Sequence, residues 1–167
     1  MRSTLCKKVR GFTLIEILVV IGIIAILAAI VIIAINPARQ FAQSRNTQRE
    51  SNINTILNAI GQRVADNKGT FPSGAGCDAL TAGTTYTIAK TSTNPPTDPL
   101  DLSCLVPTYI PSALPFDPGI QKAHWGSNTE YDTEYTVTVD TLGRYKVCAP
   151  GSVEPALGTT DELCVTR

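Results

Sequence analysis

The chain has 167 residues, 14 basic and 14 acidic side chains, and a formal net charge of zero. This length supports one soluble domain once a membrane segment is set aside. Residues 1–11 hold four cations (Arg2, Lys7, Lys8 and Arg10) and no acid, so residues 12–167 hold ten cations against 14 acids. A net charge of about −4 there excludes a strongly basic nucleic-acid surface, and we expect no specific nucleic-acid partner.

The amino-terminal stretch Phe12–Ile35 is apolar throughout except for Glu16, its only charge in 24 residues. A helix of that length spans ~36 Å, enough to cross a hydrocarbon core of ~30 Å with some tilt. The stretch therefore predicts a transmembrane helix. An ordinary signal anchor would explain the basic residues before it by the positive-inside rule. A cleaved secretory signal peptide fits less well, because its apolar region has roughly 7–15 residues.

Two details are unexplained by an ordinary anchor. Gly11 lies at the junction of the polar and apolar regions, where a cytoplasmic protease can reach it. Glu16 follows five residues later, inside the apolar run. A carboxylate near the middle of a bilayer costs about 2.5–3.5 kcal/mol on insertion scales, so such residues usually have a partner and a function.

The hexapeptide GFTLIE, Gly11–Glu16, follows a short basic leader and precedes a long Ile/Val/Leu/Ala helix. It resembles the prepilin signal of type IV pilins and type II secretion pseudopilins, over about Lys7–Ile35 and more weakly to Lys68. The resemblance implies cleavage between Gly11 and Phe12 by a membrane prepilin peptidase and N-methylation of the new Phe12 amine. It also implies polymerisation through the helix, with Glu16 meeting the Phe12 amine of a neighbouring subunit.

The function implied by this resemblance is that of a structural subunit, not an enzyme, with no cofactor. A type IV pilin would form an extracellular filament, assembled from the inner membrane by a platform and an ATPase. The alternative is a pseudopilin of a type II secretion or DNA-uptake system, in a periplasmic filament. Before assembly the chain would cross the membrane once, with its amino terminus in the cytoplasm. A remoter alternative is a membrane-tethered binding module that does not polymerise.

Glu16 separates these alternatives at the sequence level. A monomeric anchor gains nothing from a carboxylate inside its apolar span and should tolerate Glu16→Ala. A polymerising subunit should not tolerate the change.

Residues 36–68 continue the helical pattern as an amphipathic segment. One apolar stripe contains Ile53, Ile56, Leu57, Ile60 and Val64. The charged residues of the segment fall largely off that stripe: Arg39, Arg45, Arg49, Glu50 and Arg63.

Both ends of this amphipathic segment carry helix-breaking residues. Pro37 either kinks one long helix or starts a second one, and we expect a continuous, bent helix. At the other end, Gly69 suits the left-handed residue after a helix, and Pro72 prevents the helix from resuming.

Residues 69–167 form the carboxyl-terminal part. Thr85–Ala89 is a candidate strand, and Thr91–Pro99 is a surface loop by its turn residues. Four prolines in Leu105–Pro118 exclude a regular helix or central strand there. We expect an irregular apolar loop whose inward-facing side chains are Tyr109, Ile110, Leu114 and Phe116.

Alternating apolar residues in Glu134–Cys148 predict a β-hairpin, with Gly143 at the left-handed position of its turn. The apolar face of the hairpin needs cover, which the stripe Ile53–Val64 can provide. The predicted fold class is therefore α+β, a long amino-terminal helix packed on a small antiparallel β-sheet.

Five cysteines divide between the leader and the exported part. Cys6 lies in the leader, whereas four cysteines follow the membrane segment and predict two disulfides, with three possible pairings. We favour the pairs nearest in sequence, Cys77 with Cys104 and Cys148 with Cys164. A zinc site is disfavoured, because structural zinc usually shows cysteines two to four residues apart. The Cys148–Cys164 pair also resembles the disulfide-bounded loop of many type IV pilins, which favours a pilus over a pseudopilus.

Catalytic and metal-binding patterns are weak. The single histidine, His124, has no catalytic motif around it and is expected to be a surface or partly packed side chain. Five loop aspartates could surround a calcium ion, but their spacing matches no calcium loop: Asp98, Asp101, Asp117, Asp132 and Asp140. Solvated turns are the favoured interpretation, and we assign no metal ligand.

Overall fold

A computed structural model describes residues 11–34, 36–74, 76–91 and 96–167. The leader, with Arg2, Cys6, Lys7, Lys8 and Arg10, lies outside the described residues. So do Ile35 and residues 92–95 of the predicted surface loop. The chain divides into two compact units, residues 1–37 and Ala38–Arg167, the second of which we call the globular unit.

The described residues of the first unit form one helix, α1, which spans Leu14–Ala34 and has 21 residues. Its stretch Leu14–Ile32 is long and apolar enough to cross a membrane. A helix of 21 residues is ~32 Å long, which matches a hydrocarbon core of ~30 Å.

The second helix, α2, spans Pro37–Asp66 and has 30 residues. The expectation of one continuous helix is wrong, because Asn36 lies outside both helices and Pro37 is the first residue of α2. Proline lacks a backbone N–H and disfavours the helical conformation at the residue before it. Neither property is costly at the first position of a helix, so Pro37 can start α2. In the interior of one continuous helix the same residue would have been destabilising.

The carboxyl end of α2 differs in detail from the expectation. Lys68 already has a left-handed backbone, with φ of 59°, and Gly69 follows with φ of 87°. The Gly69 N–H donates to the Val64 carbonyl at 2.9 Å. This six-to-one hydrogen bond is that of a Schellman motif, in which Lys68 takes the first left-handed position and Gly69 follows it with a positive φ, as expected for this glycine.

The globular unit also contains one six-stranded sheet. The strands are β1 (Thr85–Lys90), β2 (Pro99–Leu100), β3 (His124–Ser127), β4 (Glu130–Val139), β5 (Tyr145–Ala149) and β6 (Leu163–Thr166). Their order is β2-β1-β4-β5-β6, and β3 pairs with β4 beside this path. Two short 3₁₀ helices cover Ser103–Leu105 and Pro150–Ser152.

The sheet is mixed, which corrects the expectation of a purely antiparallel one. All strand pairs are antiparallel except β1 with β2, where Thr87 faces Pro99 and Ile88 faces Leu100 in parallel register. A two-residue strand carries no alternation pattern, so neither its existence nor its direction can be read from the sequence.

The predicted hairpin is confirmed as β4 and β5, with Val139 opposite Tyr145 and Thr136 opposite Cys148. Gly143 has φ of 78° in the turn between them. The apolar stripe of α2 and the inner face of this hairpin belong to one buried core, which contains Ile53, Ile56, Leu57, Ile60, Tyr135, Val137 and Val147. Packing of a helix on one face of a sheet gives the predicted α+β class.

The proline-rich segment is partly as expected. Ile110 and Leu114 are buried, and Tyr109 is half-buried with its hydroxyl donating to Asp66 Oδ2 at 2.9 Å. Phe116, expected to face inward, is 41% exposed. Its neighbour Asp117 is buried instead, and the Asp117 carboxylate accepts hydrogen bonds from Nε and Nη2 of the buried Arg49.

Candidate assembly site on the amino-terminal helix

The predicted cleavage junction lies just before α1. Gly11 and Phe12 are exposed and outside the helix, which begins two residues after Phe12. Apart from its chain neighbours, no described residue has an atom within 4 Å of the position that a Cβ of Gly11 would occupy. The peptide bond between these residues is therefore open to a protease that binds the chain in an extended form.

Thr13 and Glu16 form a reciprocal cap at the start of α1. The Thr13 N–H and the Thr13 hydroxyl each donate to Glu16 Oε2 at 2.8 Å. In return, the Glu16 N–H donates to Thr13 Oγ1 at 3.3 Å. This is a capping box, in which each side chain satisfies the backbone N–H of the other residue. The spacing Thr-x-x-Glu is visible in the sequence, so this contact could have been found there.

The capping box changes the expectation that a monomeric anchor gains nothing from Glu16. Removing a helix cap costs typically about 1 kcal/mol, so Glu16→Ala weakens α1 in a monomer as well. Whether the protein tolerates Glu16→Ala therefore does not by itself separate a polymerising subunit from a monomeric anchor. Both Thr13 donors use Oε2, and within residues 11–34 no donor contacts Oε1. The second carboxylate oxygen is open to a donor from outside the chain.

The surface of α1 is apolar on every side. All residues of the helix whose side chains are described, 14–32, are exposed in the single chain. They include large aliphatic side chains at consecutive positions, such as Val19, Val20 and Ile21. A helix that is apolar all round is stable only when lipid or other protein surrounds it.

Comparison with known families agrees with this amino-terminal geometry. The profile of the family described as the prokaryotic N-terminal methylation motif matches residues 6–34. The chain carries the prepilin-type signal of type IV pilins and pseudopilins. No curated protein and no solved structure matches the chain. The prepilin-type signal supports a type IV pilin or pseudopilin and leaves the system to which the subunit belongs unspecified.

The structure also pairs the four cysteines of the globular unit. Cys77 and Cys104 form one disulfide, with their Cα atoms 5.3 Å apart. Cys148 and Cys164 form the other, with Cα atoms 4.1 Å apart, and they face each other across β5 and β6. These are the pairs that proximity in the sequence favoured. The second disulfide encloses the 15 residues between Cys148 and Cys164, which include the connection from β5 to β6.

Two of the candidate calcium ligands form ion pairs, and two others are buried, which corrects the interpretation of all five as solvated turns. Asp101 Oδ2 lies 2.6 Å from Lys90 Nζ, and Asp140 Oδ2 lies 2.6 Å from Arg144 Nε. Asp117 and Asp132 are buried, whereas Asp98 is exposed with a left-handed backbone. Among the described residues, the one cluster with three possible metal ligands is Cys148, Glu162 and Cys164, in which the disulfide consumes both sulfurs.

His124 lies on β3 with its side chain 46% exposed. Its Nδ1 is 2.7 Å from the Lys122 carbonyl, and its Nε2 is 3.9 Å from Glu130 Oε1. Both contacts are at the surface: Lys122 lies in the turn before β3, and Glu130 begins β4, which pairs with β3. This arrangement agrees with the expectation of a surface histidine.

A buried ion cluster is the main feature that sequence reasoning missed. Arg49 was placed off the buried stripe of α2, yet it is 1% exposed. Its Nε and Nη2 atoms donate to the two oxygens of Asp117 at 2.7 and 2.9 Å. Its Nη1 atom donates to Glu154 Oε1 at 2.7 Å. Arg45, one turn earlier, makes a second bidentate contact with Glu154, at 2.7 Å to each oxygen.

The cluster fixes two loops on α2. Asp117 belongs to the proline-rich segment and also accepts the N–H groups of Gly119 and Ile120. Glu154 belongs to the loop closed by the second disulfide. A Cβ added to Gly119 would lie 2.5 Å from Arg49 Nη2, so this position has no room for a larger residue.

In this cluster the basic and the acidic side chains stabilise each other in their charged forms. Hydrogen bonds from Arg45, followed by those from Arg49, outweigh burial and lower the pKa of Glu154 from 4.5 to about 2. Burial alone would lower the pKa of Arg49, but its hydrogen bonds to Asp117 and Glu154 raise it above its usual value. Glu154 and Arg49 therefore remain charged near neutral pH.

One sequence signal could have identified Arg49. Arg49 lies four residues before Ile53, and Arg45 lies four residues before Arg49. Residues at this spacing share a helix face, so the face of the apolar stripe extends towards the amino terminus to include Arg49 and Arg45. A buried arginine requires a carboxylate partner, but which of the 14 acids supplies it depends on the fold.

Proposed function

We propose that this chain is a pilin, the structural subunit of a type IV pilus-like extracellular filament, and that it polymerises through α1. The observation that carries the proposal is a helix of 21 residues, apolar on all sides, with one carboxylate at its amino-terminal end. Lipid surrounds such a helix in the membrane, and the helices of neighbouring copies would surround it in a filament. The prepilin-type signal supports the same conclusion.

A fixed axial register between the α1 helices of neighbouring copies needs a specific contact. Apolar helices gain little free energy from hydrophobicity when they move from lipid into a bundle of like helices. After cleavage, Phe12 would carry a free amine, which the family modification would methylate while keeping its charge. Glu16 Oε1 is open to a donor from another chain, since Thr13 uses only Oε2. We propose that the Phe12 amine of a neighbouring subunit donates to Glu16.

The energetics of this ion pair favour assembly in one register. Both charges leave water when α1 enters the bundle, and a charge left without its partner costs several kcal/mol. Pairing between copies offsets part of that desolvation in one register and in no other. The capping box places the carboxylate at the amino-terminal end of α1, where the amine of a neighbour displaced along the filament axis can reach it.

The test separates the charge of Glu16 from its role as a helix cap. Glu16→Gln keeps an oxygen that can accept from Thr13, because capping boxes use Gln as well as Glu, but it removes the charge. Thr13→Val removes the hydroxyl and keeps the charge. Glu50→Gln, on the exposed surface of α2, is the matched control. Each variant is expressed in a strain that assembles the wild-type filament, and sheared surface filaments are quantified.

The pairing proposal predicts that Glu16→Gln and Glu16→Ala both abolish filaments, while cleavage at Gly11 and folding of the globular unit remain normal. Glu50→Gln should give wild-type yield. Wild-type yield from Glu16→Gln would show that Glu16 acts only as a cap and would refute the pairing.

The location of the filament decides between the two family functions. The proposed pilin is recovered from the cell surface by shearing and identified in its filament by cryo-electron microscopy. A filament that stays in the periplasm would identify a pseudopilin of a secretion or DNA-uptake system instead. The loop closed by Cys148 and Cys164 supports the pilin, since a disulfide-bounded carboxyl-terminal loop resembles that of many type IV pilins. A wild-type chain that forms no filament would refute both and favour a tethered binding module.

A further inference from the structure

The first turn of α2 presents an uncovered apolar surface. Phe41 is 66% exposed, and Ala38, three residues earlier on the same face of the helix, is also exposed. An exposed phenylalanine on its own would need no explanation. Its place in the chain, nine residues after the end of the candidate membrane span at Ile32, is what makes Phe41 informative.

The globular unit covers α2 only from the next residue onwards. Ala42 is fully buried, and Asn46 donates to the Ser152 carbonyl at 3.1 Å. Arg45 is held by Glu154 of the same loop at 2.7 Å. The loop closed by the second disulfide is therefore bonded to α2 at Arg45 and Asn46, and no described residue of the globular unit buries Phe41. We therefore look for its cover outside the described residues of the globular unit.

Chain connectivity keeps Phe41 close to the membrane. Nine residues extend over at most about 30 Å even when fully stretched, and five residues of helix, 37–41, shorten that reach. A phenylalanine that close to a membrane span is typical of residues that enter the boundary between headgroups and acyl chains. We infer that the first turn of α2, Ala38–Phe41, lies in the lipid interface before assembly and holds the globular unit against the membrane surface.

This inference rests on the proposed membrane anchoring of α1 and not on polymerisation. Its partner is the lipid surface, and a second copy of the chain is the competing occupant. In the lipid interface, Phe41 sits among acyl chains at any protein concentration. Against a second copy, it would be covered only when subunits meet.

The experiment uses the full chain in phosphatidylcholine vesicles, without the assembly machinery. Trp125 is the only tryptophan. Trp125→Phe provides a silent background that keeps an aromatic ring against Tyr131, whose ring centroid is 4.8 Å away. A reporter is introduced as Phe41→Trp, and Ala38→Trp is a second reporter on the same face. Leu142→Trp is the matched control, because Leu142 is 78% exposed in the β4–β5 turn.

We expect lipids brominated on the acyl chains to quench the tryptophan introduced by Phe41→Trp and to blue-shift its emission relative to Leu142→Trp. The control should emit as in water and remain unquenched. Emission like that of the control from both reporters would overturn the inference. So would a blue shift without quenching that increases with the protein-to-lipid ratio, which would assign Phe41 to a contact between copies. Equal quenching of reporter and control would show general adsorption of the unit and would also overturn it.

These outcomes are distinguishable from a failure of the proposed function. Filament yield is measured with Glu16 variants in cells, whereas quenching is measured on unassembled chains in vesicles. A chain that is quenched at Phe41→Trp and forms no filament would keep the membrane contact and lose the pilin proposal.

Discussion

Replacing Arg49 with methionine should destabilise the globular unit by about 3–5 kcal/mol, because breaking a buried ion pair leaves a charge without its partner. Arg49 is 1% exposed, and the side chain of its partner Asp117 is 0% exposed. The variant leaves the Asp117 carboxylate in place with only the N–H groups of Gly119 and Ile120. Those two hydrogen bonds, and the contact of Glu154 with Arg45, place the expected loss nearer the lower value.

The loss is measured by urea unfolding of the full chain in a mild detergent, followed by the fluorescence of Trp125, which packs on Tyr131 inside the unit. Gln48→Met is the control, because Gln48 is an exposed residue next to Arg49 on the same helix. Surface substitutions usually change stability by no more than about 0.5 kcal/mol. The double variant Arg49→Met with Asp117→Asn removes the remaining charge and should recover part of the loss. A loss below about 1 kcal/mol for Arg49→Met would refute the assignment of a buried charge pair.

Three further predictions concern processing, folding and pH. The mature protein should begin at Phe12, so intact-mass measurement of the membrane form should show the loss of residues 1–11 and the gain of one methyl group; a chain still starting at Met1 in cells with an active prepilin peptidase would contradict this. Residues 36–167, expressed without the anchor in an oxidising compartment, should fold as a soluble monomer in which thiol titration under denaturing, non-reducing conditions finds no free thiol. Four reactive thiols or bound zinc would count against it. Because the pKa of Glu154 falls from 4.5 to about 2 on folding, its contribution to stability should be complete above pH 4.5 and lost as the pH falls towards 2. Urea midpoints between pH 7 and pH 2.5 should therefore drop less for Glu154→Gln than for the wild type, and parallel curves would refute the role of Glu154.

Local patterns in the sequence were sufficient for the elements whose stability is local or strongly periodic. The span Phe12–Ile35 could be read because a membrane imposes both a length and an apolar composition. The stripe Ile53–Val64 and the hairpin around Gly143 could be read because burial of one face imposes a period on helices and strands. The prepilin-type signal could be read for a different reason, since a peptidase binds a short linear segment.

Tertiary structure decided which polar groups are buried and with what partner. Arg49 lies on the same helix face as Ile53, yet its burial depends on Asp117 and Glu154, which are 68 and 105 residues away in the chain. Asp117 is buried while its neighbour Phe116 is 41% exposed, which is the reverse of what hydrophobicity alone predicts. Hydrophobic periodicity cannot predict which polar side chains are buried, because the free energy of a buried charge depends on a partner supplied by a different part of the chain. The two-residue strand β2 is also decided by tertiary structure, since its stability comes from pairing with β1 and not from its own sequence.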